Sequence, residues 1–330
     1  MNLEEIALKY FDKEHIESAK NFGGKAIITI KNTEENSSLA NSLKEELLTL
    51  EGIKKASVIF TKTVDTVLAD SESAKWQING VKKIIGIASG KGGVGKSTTA
   101  VNLALALSNL GLKTAIFDAD IYGPSIPTML GFEDTPPISL DGKLFEPFCN
   151  FGIKATSIGA IIKKDTPLIW RGAKANGAIN QLLTETNWGE IDLMLIDMPP
   201  GTGDIQITLS QSLNFDGMVI VSTPQDIALI DAVKGINMFK KIGIKILGIV
   251  ENMSYYLCEK CGHRANIFGY QGAKQTALEL KENFLGEIPL HLSIRENSDN
   301  GTPIVMANPD SPYTKAYEQI AKNIVKILEN

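Results

Sequence analysis

Gly90–Ser97 reads G-K-G-G-V-G-K-S, a full match to the pattern G-x-x-x-x-G-K-[ST]. Every residue type in that spacing suits an anion. Glycines lack Cβ atoms, so successive backbone N–H groups can curl around phosphate oxygens. A helix beginning near Lys96 adds unpaired N–H groups and the positive end of its dipole. Lys96 is placed to reach the β- and γ-phosphates of a nucleotide, and the Ser97 hydroxyl to sit on Mg²⁺. The expected nucleotide-binding residues are Gly90, Lys91, Gly92, Gly93, Val94, Gly95, Lys96, Ser97 and Thr98. The bland alternative is a glycine turn between a strand and a helix.

A second chemistry is carried by Tyr256–His263, Y-L-C-E-K-C-G-H, where Cys258 and Cys261 are spaced C-x-x-C. Two thiolates so close can serve one metal, but a tetrahedral or cluster site needs four ligands. Cys149 is the one other cysteine and lies far away in sequence. Two chains, each giving a pair, would complete the set. Three readings compete: a bridging [4Fe–4S] cluster, structural zinc helped by His263, and a redox disulfide.

Carboxylates follow two apolar runs. Ile116–Pro124, I-F-D-A-D-I-Y-G-P, puts Asp118 and Asp120 just past a strand, where they could serve magnesium-bound water and an attacking water. They could equally be turn or capping carboxylates. Leu193–Asp204, L-M-L-I-D-M-P-P-G-T-G-D, is an apolar strand ending in Asp197. Pro199, Pro200, Gly201 and Gly203 then make a hinge-rich turn that a γ-phosphate could order. Asn252, in E-N-M-S after a further strand, offers an amide donor and acceptor suited to adenine.

The elements that must position these residues alternate. Lys82–Ala88 is a short isoleucine-rich run, hence a buried strand, and A-V-N-L-A-L-A-L-S-N-L-G-L-K is a helix ending near Gly111. Further buried strands are expected at KTAIFDAD, FGIKATSIG, DLMLIDMPP, GMVIVSTP, KILGIVENM and NFLGEIPL, with helices between them. The expected class is α/β, a mostly parallel sheet flanked by helices, with ligands at strand C-terminal ends. The last segment, SPYTKAYEQIAKNIVKILEN, is amphipathic and is expected to pack on the sheet rather than lie on a membrane. Residues 1–64 read as a separate small α+β unit in the order α-β-α-β, and 65–80 as a polar linker before the domain at 81–330.

Composition bounds the partners. Of 330 residues, 43% are hydrophobic and 22% charged, which fits a globular protein of two domains. The net charge of −5 and the lack of a long basic run argue against nucleic acid. The start, MNLEEIALKYFDKEH, lacks the basic and apolar regions of a signal peptide, and no apolar run is long enough to span a bilayer. Three cysteines, two of them paired as C-x-x-C, suit a reducing compartment, so a cytoplasmic location is expected.

K-G-G-V-G-K-S resembles the deviant Walker A loop of the MinD/ParA/nitrogenase-iron-protein ATPases. That resemblance implies that Lys91 contacts phosphate across a dimer interface, as an arginine finger does. The Asp118–Asp120 segment resembles switch I of the same group, with Asp120 orienting the attacking water and Asp118 nearer the metal. The Asp197 segment resembles its Walker B strand and switch II, with Asp197 meeting Mg²⁺ through water. Taken with E-N-M-S and C-E-K-C, these motifs closely match the Mrp/ApbC/Nbp35 family of P-loop iron–sulfur cluster carriers over Val81–Asn330. The N-terminal unit resembles a MIP18-like domain. The family implies a homodimer that binds and slowly hydrolyses ATP, holds a labile [4Fe–4S] cluster at Cys258 and Cys261, and passes it from an assembly scaffold to apoproteins. A MinD/ParA-like positioning ATPase and a cluster-containing electron-transfer ATPase are the competing functions.

Overall fold

The computed structural model describes residues 3–22, 25–31, 37–50, 52–61, 75–133, 135–140, 142–160 and 172–329. The chain divides into two compact units, Met1–Ser73 and Ala74–Asn330. Most of the expected linker at 65–80 lies outside the described residues.

The first unit runs α1 (Leu3–Ala7), β1 (Ile16–Phe22), β2 (Lys25–Lys31), α2 (Ser37–Leu48) and β3 (Lys55–Thr61). Ala26, Ile28 and Ile30 alternate along β2 and are buried, with Leu43 and Leu47 one turn apart on α2 and Ile6 and Phe11 near α1 in the same core. Glu46 of α2 accepts hydrogen bonds from Lys9 and from the Tyr10 hydroxyl, tying α2 to the turn that follows α1. The sheet order is β1-β2-β3, with β1 antiparallel to β2 and β3 parallel to it. The α-β-α-β expectation omits β1. I-E-S-A-K-N-F has no apolar alternation, so only pairing with β2 makes it a strand.

The second unit runs β4 (Val81–Ala88), α3 (Lys96–Asn109), β5 (Thr114–Asp118), α4 (Ile126–Met129), β6 (Phe148–Asn150), β7 (Ile153–Ser157) and α5 (Gly172–Thr184). It continues with β8 (Ile191–Asp197), α6 (Asp204–Ser212), β9 (Gly217–Ser222), α7 (Asp226–Ile242), β10 (Ile246–Glu251), β11 (Tyr256–Leu257) and β12 (Arg264–Ala265). It closes with α8 (Gly272–Leu280), β13 (Phe284–Glu287), α9 (Leu292–Asp299), α10 (Ile304–Ala307) and α11 (Pro312–Leu328). The main sheet has eight strands in the order β13-β10-β9-β4-β8-β5-β7-β6, all parallel except β6. That short antiparallel edge strand, and the separate hairpin β11-β12, are additions to the expected set.

Both faces of the sheet are covered, and the strand period divides the core. On β4, Ile85 and Ile87 face the layer of α3, α10 and α11, whereas Ile84 and Ala88 face that of α5 to α8. Leu193 and Leu195 divide from Met194 and Ile196 in the same way on β8. The apolar stripe of the last helix, Tyr317, Ile320, Ala321 and Ile324, is buried where α11 packs on α3 and β13. Among the described residues no helix is long and apolar enough to cross a membrane.

Strand β4 is central, with β8 on one side and β9 on the other, and the connections that leave β4 and β8 run to opposite sides of the sheet. Ligands in such sheets bind outside the C-terminal ends of the strands at this kind of switch point. The other end is closed by Gly80, whose carbonyl accepts from Ile191 N at the start of β8. Gly80 has φ +82°, and a Cβ there would lie 1.9 Å from the Gly189 carbonyl oxygen. Gly80→Ala is expected to lower unfolding free energy by about 3 kcal/mol, measured by denaturant melts. An unchanged midpoint would show that the β4-β8 entry tolerates the side chain.

Candidate nucleotide site and cysteine hairpin

Residues 89–95 connect β4 to α3. Gly93 and Gly95 take φ of 80° and 81°, where a side chain costs roughly 1–2 kcal/mol. Gly90 is needed for a different reason: a Cβ there would lie 2.2 Å from the backbone carbonyl carbon of Asp231 in α7. The Ser89 hydroxyl donates to the Lys91 carbonyl at 2.9 Å, and Gly201 N donates to the Ser89 carbonyl at 2.9 Å. The second bond ties the phosphate loop to the turn after β8. Gly92 is exposed, Ser97 and Thr98 are half-buried, and Val94 is buried in the core.

Lys96 opens α3 with a side chain only 6% exposed. Its Nζ lies 2.6 Å from Asp197 Oδ1, 3.2 Å from Ser97 Oγ and 3.8 Å from Asp120 Oδ2. Asp197 reaches this point because it ends β8, in register with Ile87 of β4 and Asp118 of β5. Burial pushes the Asp197 carboxyl up, and the Lys96 charge opposes that shift. One oxygen each of Asp197 and Asp120, Oδ2 and Oδ1 respectively, is buried with no hydrogen-bond partner. Two such orphaned acceptors beside the Ser97 hydroxyl fit the oxygen-rich, partly hydrated shell that Mg²⁺ requires.

Asp118 does other work. Its Oδ1 accepts from Asp120 N, and its Oδ2 from Ser125 N, Ile126 N and the Ser157 hydroxyl, at 3.0 to 3.2 Å. Both oxygens thus hold the turn after β5, and the buried acceptors left without a partner lie on Asp120 and Asp197. Burial, aided by the Asp197 charge, pushes Asp118 up to about 7, against Lys96 and the backbone donors.

Asn252 follows β10 and is buried beneath the phosphate loop. Its Nδ2 donates to the Val94 carbonyl at 2.8 Å, so the amide expected at adenine braces the loop in this structure. Lys91 is half-buried, and its ammonium has no ion-pair partner among the described residues.

Cys258 and Cys261 cap the hairpin β11-β12. Cys258 N donates to the His263 carbonyl, Gly262 N donates to the Cys258 carbonyl, and Gly262 takes φ 68° to close the turn. Backbone N–H groups of Cys261 and Lys260, with the neighbouring Cys261 thiol, pull the Cys258 thiol below its ordinary range. Cys258 is half-buried and Cys261 exposed, and neither is in a disulfide. Cys149 sits on edge strand β6, six strands from β10. At about 4.8 Å per strand this is on the order of 29 Å. Among the described residues no group of three or more His, Cys, Asp or Glu side chains is placed to hold a metal ion. At the hairpin, one chain therefore offers two thiols.

Residues outside the motifs hold this hairpin. The His291 ring accepts from Ser293 N at Nδ1, so Nε2 carries the proton and donates to Glu259, between the two cysteines, at 2.8 Å. Tyr313 stacks on the ring. Arg264 forks onto Glu287 through two 3.0 Å bonds and lies over the Tyr255 ring. No spacing rule connects His291 or Glu287 to C-E-K-C, because the contacts join residues 32 and 23 positions apart.

A family model described as ParA, NUBPL iron-transfer P-loop NTPase, matches residues 80–325. The iron–sulfur cluster carrier protein of Escherichia coli is 53% identical over 251 residues, 76% of this chain and 68% of that protein. The iron–sulfur cluster transfer protein NUBPL of Mus musculus is 49% identical over 255 residues, 77% of this chain and 80% of that one. Among solved structures, an Archaeoglobus fulgidus nucleotide-binding protein in complex with ADP has a TM-score of 0.63 at 36% identity, covering 73% of this chain and 93% of its own. The Pyrococcus furiosus cell division ATPase MinD follows at TM-score 0.56 and 25% identity, covering 74% and 99%.

The four donors around Asp118 make a direct test. Asp118→Asn sets a carboxamide nitrogen against an N–H or O–H donor and is expected to cost about 1–3 kcal/mol. Calorimetry of the ligand-free protein reads this as a lower Tm, and an unchanged Tm would deny Asp118 its anchoring role.

Proposed function

The chain belongs to the NUBPL iron-transfer family of ParA-type P-loop NTPases, and we propose that it is an ATP-hydrolysing carrier of iron–sulfur clusters. In this reading two copies hold one [4Fe–4S] cluster as cargo and release it to apoproteins. The observation that carries it is the free thiol pair at the hairpin tip, on the same domain as a complete phosphate loop.

The nucleotide half of the reading rests on Lys96. In this structure its charge is matched by Asp197. A triphosphate entering the loop competes for the same ammonium, and Asp197 is then left to face a cation. Mg²⁺, when bound, would supply positive charge that offsets the negative charge of the phosphates. Ser97, Asp197 and Asp120 are the residues that would hold it directly or through water. Asp120, with one unpartnered oxygen, is also assigned the attacking water, and Lys91 the γ-phosphate of a partner copy. Gly90, Gly92, Gly93, Val94, Gly95 and Thr98 contribute backbone N–H groups or the space for them. Asn252 is assigned to adenine through its remaining amide oxygen or after release of Val94.

The cargo half rests on ligand number. A cubane cluster needs four protein ligands, and the hairpin supplies two, so a two-fold dimer completes the shell. The N–H groups directed at Cys258 favour the thiolate that an iron ligand requires. Release is ligand exchange: thiolates of the acceptor replace those of Cys258 and Cys261 with no change in electron count. The small N-terminal unit, proposed as MIP18-like, is a module for partner contact.

Three measurements test these assignments. Lys96→Ala should abolish ATP hydrolysis in a protein that remains folded by circular dichroism, since it removes the charge that meets the phosphates. Normal turnover would sink the nucleotide site. Lys91→Ala should lower kcat far more than it weakens ATP binding, because a cross-dimer cation acts on charge that develops in the transition state. An unchanged rate would make it a surface lysine.

Anaerobic reconstitution should give about four iron and four sulfide per dimer. Cys258→Ala and Cys261→Ala should each abolish retention, whereas Cys149→Ala should not. One zinc per dimer with no iron retained would refute the carrier reading.

A further inference from the structure

The phosphate loop and the cysteine hairpin are joined by a single short stretch of chain. At one end, Asn252 Nδ2 donates to the Val94 carbonyl, and the same nitrogen lies 2.1 Å from where a Cβ on Gly95 would stand. The amide is therefore pressed against the bend that carries Lys96. At the other end lies Cys258, six residues on.

That stretch has little slack. Asn252 N donates to the Ser222 carbonyl at 2.8 Å and Ser254 N to the Ile288 carbonyl at 2.9 Å, pinning the backbone on both sides of Met253. Met253 between them takes φ 54°, a left-handed value that is uncommon for a residue with a side chain. Such a conformation persists only where its surroundings impose it, and it marks a point that can change state. Beyond it, the Ser254 hydroxyl bridges Glu251 and Glu287, and Glu287 takes the Arg264 fork from the far strand of the hairpin. Polar contacts on either side, joined through the backbone of Met253, thus lead from the loop to the hairpin base.

We propose that Asn252 is a positioning residue through which the nucleotide state of the phosphate loop sets how the two cysteines are presented. Phosphate draws the N–H groups of the loop toward itself, and Val94 and Gly95 cannot shift without moving or releasing the Asn252 amide. Met253 is the hinge that turns this displacement into a change at the hairpin base. The inference takes its meaning from the carrier reading, in which thiol presentation governs how tightly cargo is held.

Alkylation of the cluster-free full-length protein by iodoacetamide tests it, with the rates at Cys258 and Cys261 followed by mass spectrometry. Saturating MgADP should change at least one rate by about fivefold in the wild type, compared at an equal oligomeric state set by light scattering. Asn252→Ala, at saturating nucleotide, should remove most of that change. Ser254→Ala lies past the loop, so it should blunt the same response and leave the nucleotide Kd as it was, which a purely structural role would not do. If Asn252→Ala does not bind nucleotide, Ser254→Ala decides alone. Wild-type rates indifferent to MgADP, or a full response in both variants, would overturn the proposal. No cluster is present in this assay, so its outcome is independent of whether iron is retained on reconstitution.

Discussion

The buried pair between Lys96 and Asp197 is the interaction on which the site depends. Their side chains are 6% and 0% exposed, so each charge has lost most of its water. Removing one partner from such a pair typically costs 3–5 kcal/mol, roughly, because the other is left uncompensated in low dielectric. A ligand with concentrated negative charge can take over one partner only if a cation or proton satisfies the other. In the proposed reading, this pair links phosphate binding to metal binding. Because Lys96 opens α3 and Asp197 closes β8, the same pair also locks the loop to the central strands.

Three aspartates at the C-terminal ends of two neighbouring strands have different work because their surroundings differ. Asp118 is encircled by four donors and holds the turn that follows β5. Asp120 and Asp197 each keep an acceptor oxygen without a partner, in a place where an unmade hydrogen bond is expensive. Divergent roles for chemically identical groups arise from burial, donor supply and one shared lysine. The turn after β8 enters the same network through Gly201, whose φ of 86° lets its N–H reach the Ser89 carbonyl.

The cysteine hairpin follows another logic. It is too short to be stable alone, and it stands because Glu287, gripped by Arg264 of β12, and His291, stacked on Tyr313, clamp it from outside. A clamped base with one half-buried and one exposed thiol at its tip suits the proposed cargo, which must be both held and surrendered. Its ligand count makes a second chain part of the proposed site.

The sequence by itself determined the phosphate loop, the alternation of buried strands and helices, and the family, because these are written in contiguous residues. G-K-G-G-V-G-K-S has a meaning that depends only on its own backbone and the elements on either side. The isoleucine and leucine runs of β4, β8, β9 and β10 likewise required only local patterning. What the tertiary structure decided lies in contacts between distant segments. The register that sets Asp118 beside Asp197 comes from strand pairing across the sheet. The occupation of Asp118, the bracing of Val94 by Asn252 and the hold of His291 on Glu259 all join residues that no spacing rule connects. Strand β1, hairpin β11-β12 and edge strand β6 were missed for the same reason: each is short or lacks alternation, and becomes a strand only when a partner supplies its hydrogen bonds.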